Sequence, residues 1–214
     1  MSDLHSAPPA FDDPVGTWNR RFSQPGYLFG TEPNAWLHEH GSLWEAGQRI
    51  LCVADGEGRN SVWLAQQALT VDAFDISEVA VRKARDFARV TGVKVNFAVA
   101  DIAELQWPGA LYDGVVAIFI QFADPHLRAR IFDGMRRSLK PGGILLLQGY
   151  TPRQIEYATG GPPVASHMYT PQLLREAFAG MEIQELREYE ADLAEGTAHK
   201  GHSALIGLVA RQPA

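Results

Sequence analysis

From residue 49 onward, short apolar runs alternate with amphipathic stretches, the order expected of strands and helices taken in turn. Arg49 to Ala54 (RILCVA) is apolar at consecutive positions, which fits a strand buried on both faces. The polar turn Asp55–Asn60 (DGEGRN) separates it from Ser61 to Ala68, where Val62, Trp63 and Leu64 offer a packing face. Thr70 to Phe74 makes a second strand. The helix after it is signalled at both ends: Ser77 as cap, Ile76 and Val81 at the staple positions, and Gly92 as the stop. Ala80, Ala84, Phe87 and Ala88 form its inner stripe. Lys94 to Val99 alternates as a third strand and Tyr112 to Phe119 gives a fourth, after a Trp107-Pro108-Gly109 loop. Asp124-Pro125 opens a helix lined by Leu127, Ile131, Met135 and Leu139. Lys140-Pro141-Gly142-Gly143 closes it, and Ile144 to Leu147 is a fifth buried strand.

The pattern changes near the C-terminus. Met181 to Glu190 and Ser203 to Arg211 read as two strands joined by a loop too short for a crossover helix, so they are expected to pair antiparallel. The expected architecture is α/β: a doubly wound, Rossmann-like sheet of seven strands, mostly parallel, with an antiparallel C-terminal hairpin and helices on both faces. Residues 1–13 are polar and proline-bearing and read as a disordered tail. No linker or repeat divides residues 14–214, which are expected to form one domain, with 14–48 as an N-terminal lid.

Composition narrows the function. Of 214 residues, 46% are hydrophobic and 21% charged, the balance of a water-soluble globular protein. The sequence contains neither an apolar run long enough to cross a bilayer nor a secretory signal, so a cytoplasmic location is expected. Cys52 is the only cysteine, which excludes an internal disulfide and a cysteine-built metal site; inside a strand it reads as core. The net charge of -6 argues against nucleic acid as a partner, and no membrane partner is called for. A small-molecule partner is expected. Oligomeric state leaves no mark in the sequence.

The candidate chemistry lies in Asp55-Gly56-Glu57-Gly58-Arg59-Asn60, between a strand and a helix. Glycines there let the backbone approach a ligand at the sheet edge, and Asp75, at the end of the second strand, can accept hydrogen bonds from a ribose diol. Together they point to an adenosine-containing cofactor. A pyrophosphate prefers neutral glycines and free backbone N–H groups. Asp55 and Glu57 oppose one, and Asn60 or Ser61 stands where a dinucleotide site has its third glycine. S-adenosylmethionine (SAM) has no phosphate, and its ammonium group suits an acidic loop.

Residues 49–150 resemble the class I SAM-dependent methyltransferases. VADGEGRNSVWLA is similar to that family's first motif, FDIS to its acidic second-strand end and ADIAEL to its adenine-side loop. DGVVAIF is similar to its fourth strand, and LKPGG to the turn before the fifth. WNRRF at 18–22 and YLFGTEPNAWL at 27–37 are similar to the N-terminal segment of the tellurite-resistance and thiopurine-type subgroup. The resemblance implies that Asp55, Gly56 and Gly58 contact the methionine end, and that Asp75 and Ile76 hold the ribose. It implies further that Asp101 and Ile102 flank the adenine, and that Ile118 and Phe119 lie under the cofactor. Asp101 also reads as a plain cap for a turn over 102–106, and Ile118 and Phe119 as core.

Before the first strand, Trp18, Arg21, Phe22, Tyr27, Phe29 and Trp36 make an aromatic-rich segment. It reads either as a lid that excludes water, with Arg21 and Tyr27 reaching the cofactor, or as a packing helix. Gln121, Phe122 and His167 are the candidates for lining the acceptor pocket. A soft acceptor, such as a thiol or a metalloid oxyanion, needs no base, whereas a hydroxyl or amine needs one, for which His167, His199 and His202 are candidates. The late histidines, in a loop, offer no fixed geometry for a metal. Two other readings stay open: an NAD-dependent oxidoreductase, and a non-catalytic SAM-binding module.

Overall fold

The computed structural model describes residues 13–214. Residues 1–12, most of the expected tail, lie outside the described residues. Asp13 does not belong to that tail: its carboxylate accepts from the N–H of Gly16 at 2.8 Å and caps helix α1 (Pro14–Phe22), which has proline in its first turn. Helix α2 (Ala35–Glu39) follows, capped by Asn34.

The alternating part is β1 (Arg49–Val53), α3 (Arg59–Gln66), β2 (Thr70–Asp75), α4 (Glu78–Thr91), β3 (Asn96–Val99), β4 (Tyr112–Ile118), α5 (Pro125–Ser138) and β5 (Leu139–Tyr150). Then come α6 (Gln154–Tyr157), α7 (Pro171–Ala177), β6 (Glu182–Glu195) and β7 (His199–Arg211). The seven-stranded sheet runs β3-β2-β1-β4-β5-β7-β6. Strands β1 to β5 pair in parallel, and β7 pairs antiparallel with both β5 and β6. This is the Rossmann-like arrangement expected from the sequence. The chain leaves β1 toward β2 on one side and returns to β4 on the other, so the crevice for a ligand lies at the carboxyl ends of β1 and β4.

Successive side chains of a strand point to opposite faces, and the two cores divide accordingly. Leu51 and Val53 join Ile131, Met135, Tyr169 and Phe178 on one side; Ile50 and Cys52 join Trp36, Trp44 and Leu64 on the other. Helix α4 carries the expected caps, with Ser77 Oγ accepting from the N–H of Ala80 and Gly92 left-handed at the stop.

Several boundaries differ from the sequence reading, three of them with consequences for the site. Helix α3 begins at Arg59, two residues early, directly on the glycine loop. Strand β5 takes in the Lys140–Gly143 turn as an irregular start. The terminal hairpin is longer than expected: pairing continues through Asp192↔His202 to Glu195↔His199. Its tip is polar because β6 is an edge strand with one side open to water, so backbone pairing and not apolar alternation defines it. His199 therefore lies in a strand and is buried, not in a loop. No helix among the described residues is long and apolar enough to cross a membrane.

Candidate functional site

The loop leaving β1 is held from beneath. The N–H of Asp55 donates to the Phe74 carbonyl at 3.0 Å, tying the loop to the end of β2. Gly58 has φ +90°, and a Cβ there would sit 2.8 Å from Cβ of Ala84 on α4. A larger residue would push α3 off α4 and strain the backbone as well. Asp75 is pinned by two backbone donors: the Gly56 N–H reaches Oδ2 at 2.9 Å and the Ser77 N–H reaches Oδ1 at 2.9 Å. Each oxygen of a carboxylate has a second lone pair for a ligand hydroxyl. Burial raises the Asp75 pKa, while those N–H bonds pull it down.

Asp55 is the unusual member. Its Oδ2 accepts from the Ser61 hydroxyl, while Oδ1 is buried with no hydrogen-bond partner among the described residues. Burial pushes its pKa up to about 7; the Ser61 bond opposes this and the Asp75 charge adds to it. A buried, unpartnered carboxylate oxygen is costly unless a donor or cation arrives.

The remaining candidates on the cofactor side gather near the same edge. The Ala100 N–H donates to the Asp75 carbonyl at 3.0 Å, bringing Asp101 and the buried Ile102 alongside β2. Asp101 Oδ1 accepts from the Ala103 N–H at 2.8 Å, the capping role of its plainer reading. Ile76 is half-buried next to Asp75. Ile118 ends β4, and Phe119 follows with φ +55°.

The segment before β1 lies over the loop. Phe22 is 2% exposed against Gly56, and the Ser77 hydroxyl donates to Asn19 Oδ1 at 2.7 Å. Glu57 does not present its charge to a ligand, as the acidic-loop reading expected. It accepts from the Leu28 N–H at 2.6 Å and from Lys83 Nζ at 2.7 Å, fastening residues 24–28 onto α4. Tyr27 packs on Phe87 with ring centroids 5.5 Å apart, along α4, and the Arg21 guanidinium stacks on Trp18 at 4.5 Å. On the far side, Arg59 pairs with Glu195 at 2.6 Å and donates to the Phe29 carbonyl at 3.3 Å. Asn34, fully buried, donates to Gln148 at 2.6 Å and to Glu195 at 2.9 Å. The hairpin tip closes onto this strap, with the Thr197 N–H on the Leu28 carbonyl at 2.9 Å. Gly196 is the required residue there, since a Cβ would lie 2.3 Å from that carbonyl oxygen.

Between strap, hairpin and the ends of β4 and β5 is an aromatic box. Phe119 stacks on Tyr150 at 4.6 Å, and the His199 ring lies 4.3 Å from Phe119 and 4.4 Å from Phe29. Two buried polar atoms there have no partner among the described residues: Tyr150 Oη and His199 Nδ1. Gln121 sits behind the box. It donates to the Tyr150 carbonyl at 2.8 Å and accepts from the Tyr150 N–H at 2.6 Å, so its amide positions the strand end. Phe122 packs against the core, and His167 lies in a short turn whose carbonyl accepts from Gln121 at 3.4 Å. His202 is exposed, between Glu190 and Asp192. Sequence reasoning did not bring out Gln148 or Tyr150, and it did not join Asn34, Arg59 and Glu195 to one site. Their polar groups meet only across the strap and hairpin, and no local spacing encodes that.

Residues 50–143 match a family described as "Methyltransferase domain". The chain is 32% identical over 105 residues to "Methyltransferase GfsG" of Streptomyces halstedii, spanning 48% of this chain and 37% of that protein. It is 28% identical over 160 residues to a "Ubiquinone biosynthesis O-methyltransferase" of Rickettsia canadensis, spanning 68% of this chain and 67% of the relative. The match thus covers only about a third of the first relative's length. The fold is also that of the N-methyltransferase NodS from Bradyrhizobium japonicum in complex with S-adenosyl-l-homocysteine, with a TM-score of 0.71 at 14% identity over 95% of this chain and 100% of that one. The matched family segment ends in the first residues of β5, short of the hairpin that carries Glu195 and His199.

Proposed function

We propose, from the match of residues 50–143 to a methyltransferase domain, that the protein transfers the methyl group of SAM to a small-molecule acceptor. The observation that carries the proposal is the buried, unpartnered Oδ1 of Asp55, one loop away from the doubly pinned Asp75.

These residues suit SAM. An ammonium group supplies the donor that Asp55 Oδ1 lacks, and a ribose diol suits the spare lone pairs of Asp75. Gly56, Gly58 and Ile76 complete the wall of this half, Asp101 and Ile102 flank the adenine, and Ile118 and Phe119 form the floor. Arg21 and Tyr27 belong to the lid over the methionine end. When bound, SAM supplies an electrophilic methyl on a sulfonium sulfur. The chain contributes alignment, which is worth up to roughly 7–11 kcal/mol in well-oriented reactions. Phe22 and the strap keep water from the cleft. Gln121 fixes the end of β5, and with Phe122 and His167 it bounds the acceptor side. A thiol or a metalloid oxyanion as acceptor would need no base, whereas a hydroxyl or an amine would need one.

Residues 14–214 act as one domain in this reading, in the cytoplasm. The likeness of WNRRF and YLFGTEPNAWL to the tellurite-resistance and thiopurine-type subgroup belongs to the proposal as well. Calorimetric titration with S-adenosylhomocysteine and with NAD tests it. Heat with S-adenosylhomocysteine alone supports methyl transfer, and heat with NAD alone ends the reading. Labelled-methyl transfer to thiols, phenols, amines and metalloid oxyanions then separates an enzyme from a SAM-binding module, which would bind and transfer nothing.

A further inference from the structure

The hairpin brings a histidine and a glutamate to the acceptor side, on strands outside the matched family segment. His199 opens β7 and Glu195 closes β6, and the register sets them directly opposite each other. Both side chains are 11% exposed, and His199 Nδ1 lies 3.8 Å from Glu195 Oε2. That is just beyond hydrogen-bond length, and Nδ1 has no other partner among the described residues. Glu195 is held in place by Arg59 at 2.6 Å and by the amide of Asn34 at 2.9 Å. The imidazole stands between Phe29 and Phe119, the latter at the end of β4 where a ligand crevice opens.

We propose that His199 is the general base of the transfer and that the acceptor is therefore a hydroxyl or an amine, held beside the aromatic box of Phe29, Phe119 and Tyr150. The inference rests on the methyl-transfer reading. Nδ1–H turns to Glu195, which leaves the Nε2 lone pair for the acceptor's proton, the tautomer logic of a histidine oriented by a carboxylate. Glu195 is a positioning residue, kept in register by Arg59. The acceptor's oxygen or nitrogen lone pair forms the bond to the methyl carbon, and the carbon–sulfur pair returns to sulfur. The acceptor's proton passes to Nε2 and is later released to water.

The charges around the ring agree with this assignment. Burial lowers the His199 pKa, and the charges of Arg59 on α3 and Arg21 on α1 add to that effect, against the pull of Glu195 on β6. Tyr150 on β5 stays protonated, since burial raises its pKa first and the Glu195 charge adds to it. A neutral imidazole near neutral pH is the form a base requires. A thiol acceptor, with its small but highly nucleophilic thiolate fraction, has less need of such an arrangement.

Two measurements on the full chain test the proposal. In the free protein, nitrogen-15 NMR of labelled histidine is expected to show His199 neutral at pH 7 with the proton on Nδ1, a preference that Glu195→Gln weakens. The opposite tautomer, or a charged ring at pH 7, overturns the assignment. Methyl transfer to 4-methylphenol, benzylamine and thiophenol is then compared in wild type and His199→Gln. A loss of about 100-fold or more on the phenol or the amine, with S-adenosylhomocysteine affinity within about twofold, is expected. Undiminished transfer in the variant, or wild-type transfer to thiophenol alone, overturns it. If no probe is methylated, the tautomer decides. Failure of the wild type to bind S-adenosylhomocysteine would instead sink the methyl-transfer reading itself.

Discussion

Arg59 and Glu195 lie 136 positions apart in sequence and meet as a 2.6 Å ion pair with side chains only 8% and 11% exposed. Arg59 is the first residue of α3 after the glycine loop, and Glu195 ends β6, so the pair joins the glycine loop to the C-terminal hairpin. Breaking one partner of such a pair leaves the other charge buried alone. Glu195→Ala is expected to cost about 3–5 kcal/mol of stability, read as a lower midpoint in urea. An unchanged midpoint would mean that the pair is solvated in solution. The pair also sets an acid limit. Burial opposes ionisation of Glu195, but His199 and Arg59 more than offset it and bring its pKa down to about 2. A depressed carboxylate stabilises the fold above its ordinary pKa, 4.5, and this contribution is lost as pH falls through about 2.

Asp55 has the opposite sign. With its pKa raised by burial to about 7, it favours the folded free protein most below 3.8, and that contribution is lost as pH rises through about 7. An ammonium ligand favours the ionised form, so binding of S-adenosylhomocysteine at pH 6 is expected to expel close to one proton per site, falling toward none by pH 8. Calorimetry in two buffers of different ionisation enthalpy measures this directly. Identical heats in both buffers at pH 6 would show that Asp55 does not meet the ammonium.

Asp75→Ala removes the acceptor for two backbone N–H groups as well as the proposed ribose contact. Affinity for S-adenosylhomocysteine is expected to fall by roughly 1.5–3 kcal/mol, the scale of a hydrogen bond to a charged group. Asp75→Asn keeps one acceptor oxygen and should lose less. Equal affinities in wild type and both variants would place the ribose elsewhere.

What was legible in the sequence followed from local rules. RILCVA, the glycine loop, Asp75 and the capped helix from Ser77 to Gly92 each announce themselves within a few residues, and the structure places them in the order and element types read from the sequence. The acceptor side was not legible in this way. Glu57 reads as a ligand group until Lys83 and Leu28 are seen to consume it. Asn34, Gln148 and Glu195 are ordinary polar residues until the strap folds over the sheet edge and removes their water. His199 was visible as a candidate, but the polar sequence around it concealed a strand, because β6 and β7 are held at their tips by backbone bonds.

Lys83 decides how firmly the segment proposed as a lid is fastened. Its ammonium donates to the Gln24 carbonyl at 2.9 Å, the Gly26 carbonyl at 2.7 Å and Glu57 Oε1 at 2.7 Å, using all three of its N–H bonds on the strap and the loop beneath it. Lys83→Met keeps an apolar side chain of similar length on α4 but removes every one of these bonds and leaves the buried Glu57 with the Leu28 N–H. Losing charge-assisted bonds worth about 1.5–3 kcal/mol raises the open population of the segment roughly 10- to 100-fold. Cleavage that follows local opening tracks that population. Trypsin should therefore cut after Arg20 or Arg21 faster in the variant by that factor, with the global unfolding midpoint changing far less. S-adenosylhomocysteine should slow the cut in wild type, because a ligand beneath Phe22 binds the closed form and draws the equilibrium toward it. A variant cut no faster than wild type would mean that the strap is held by its packing on the hairpin and not by Lys83.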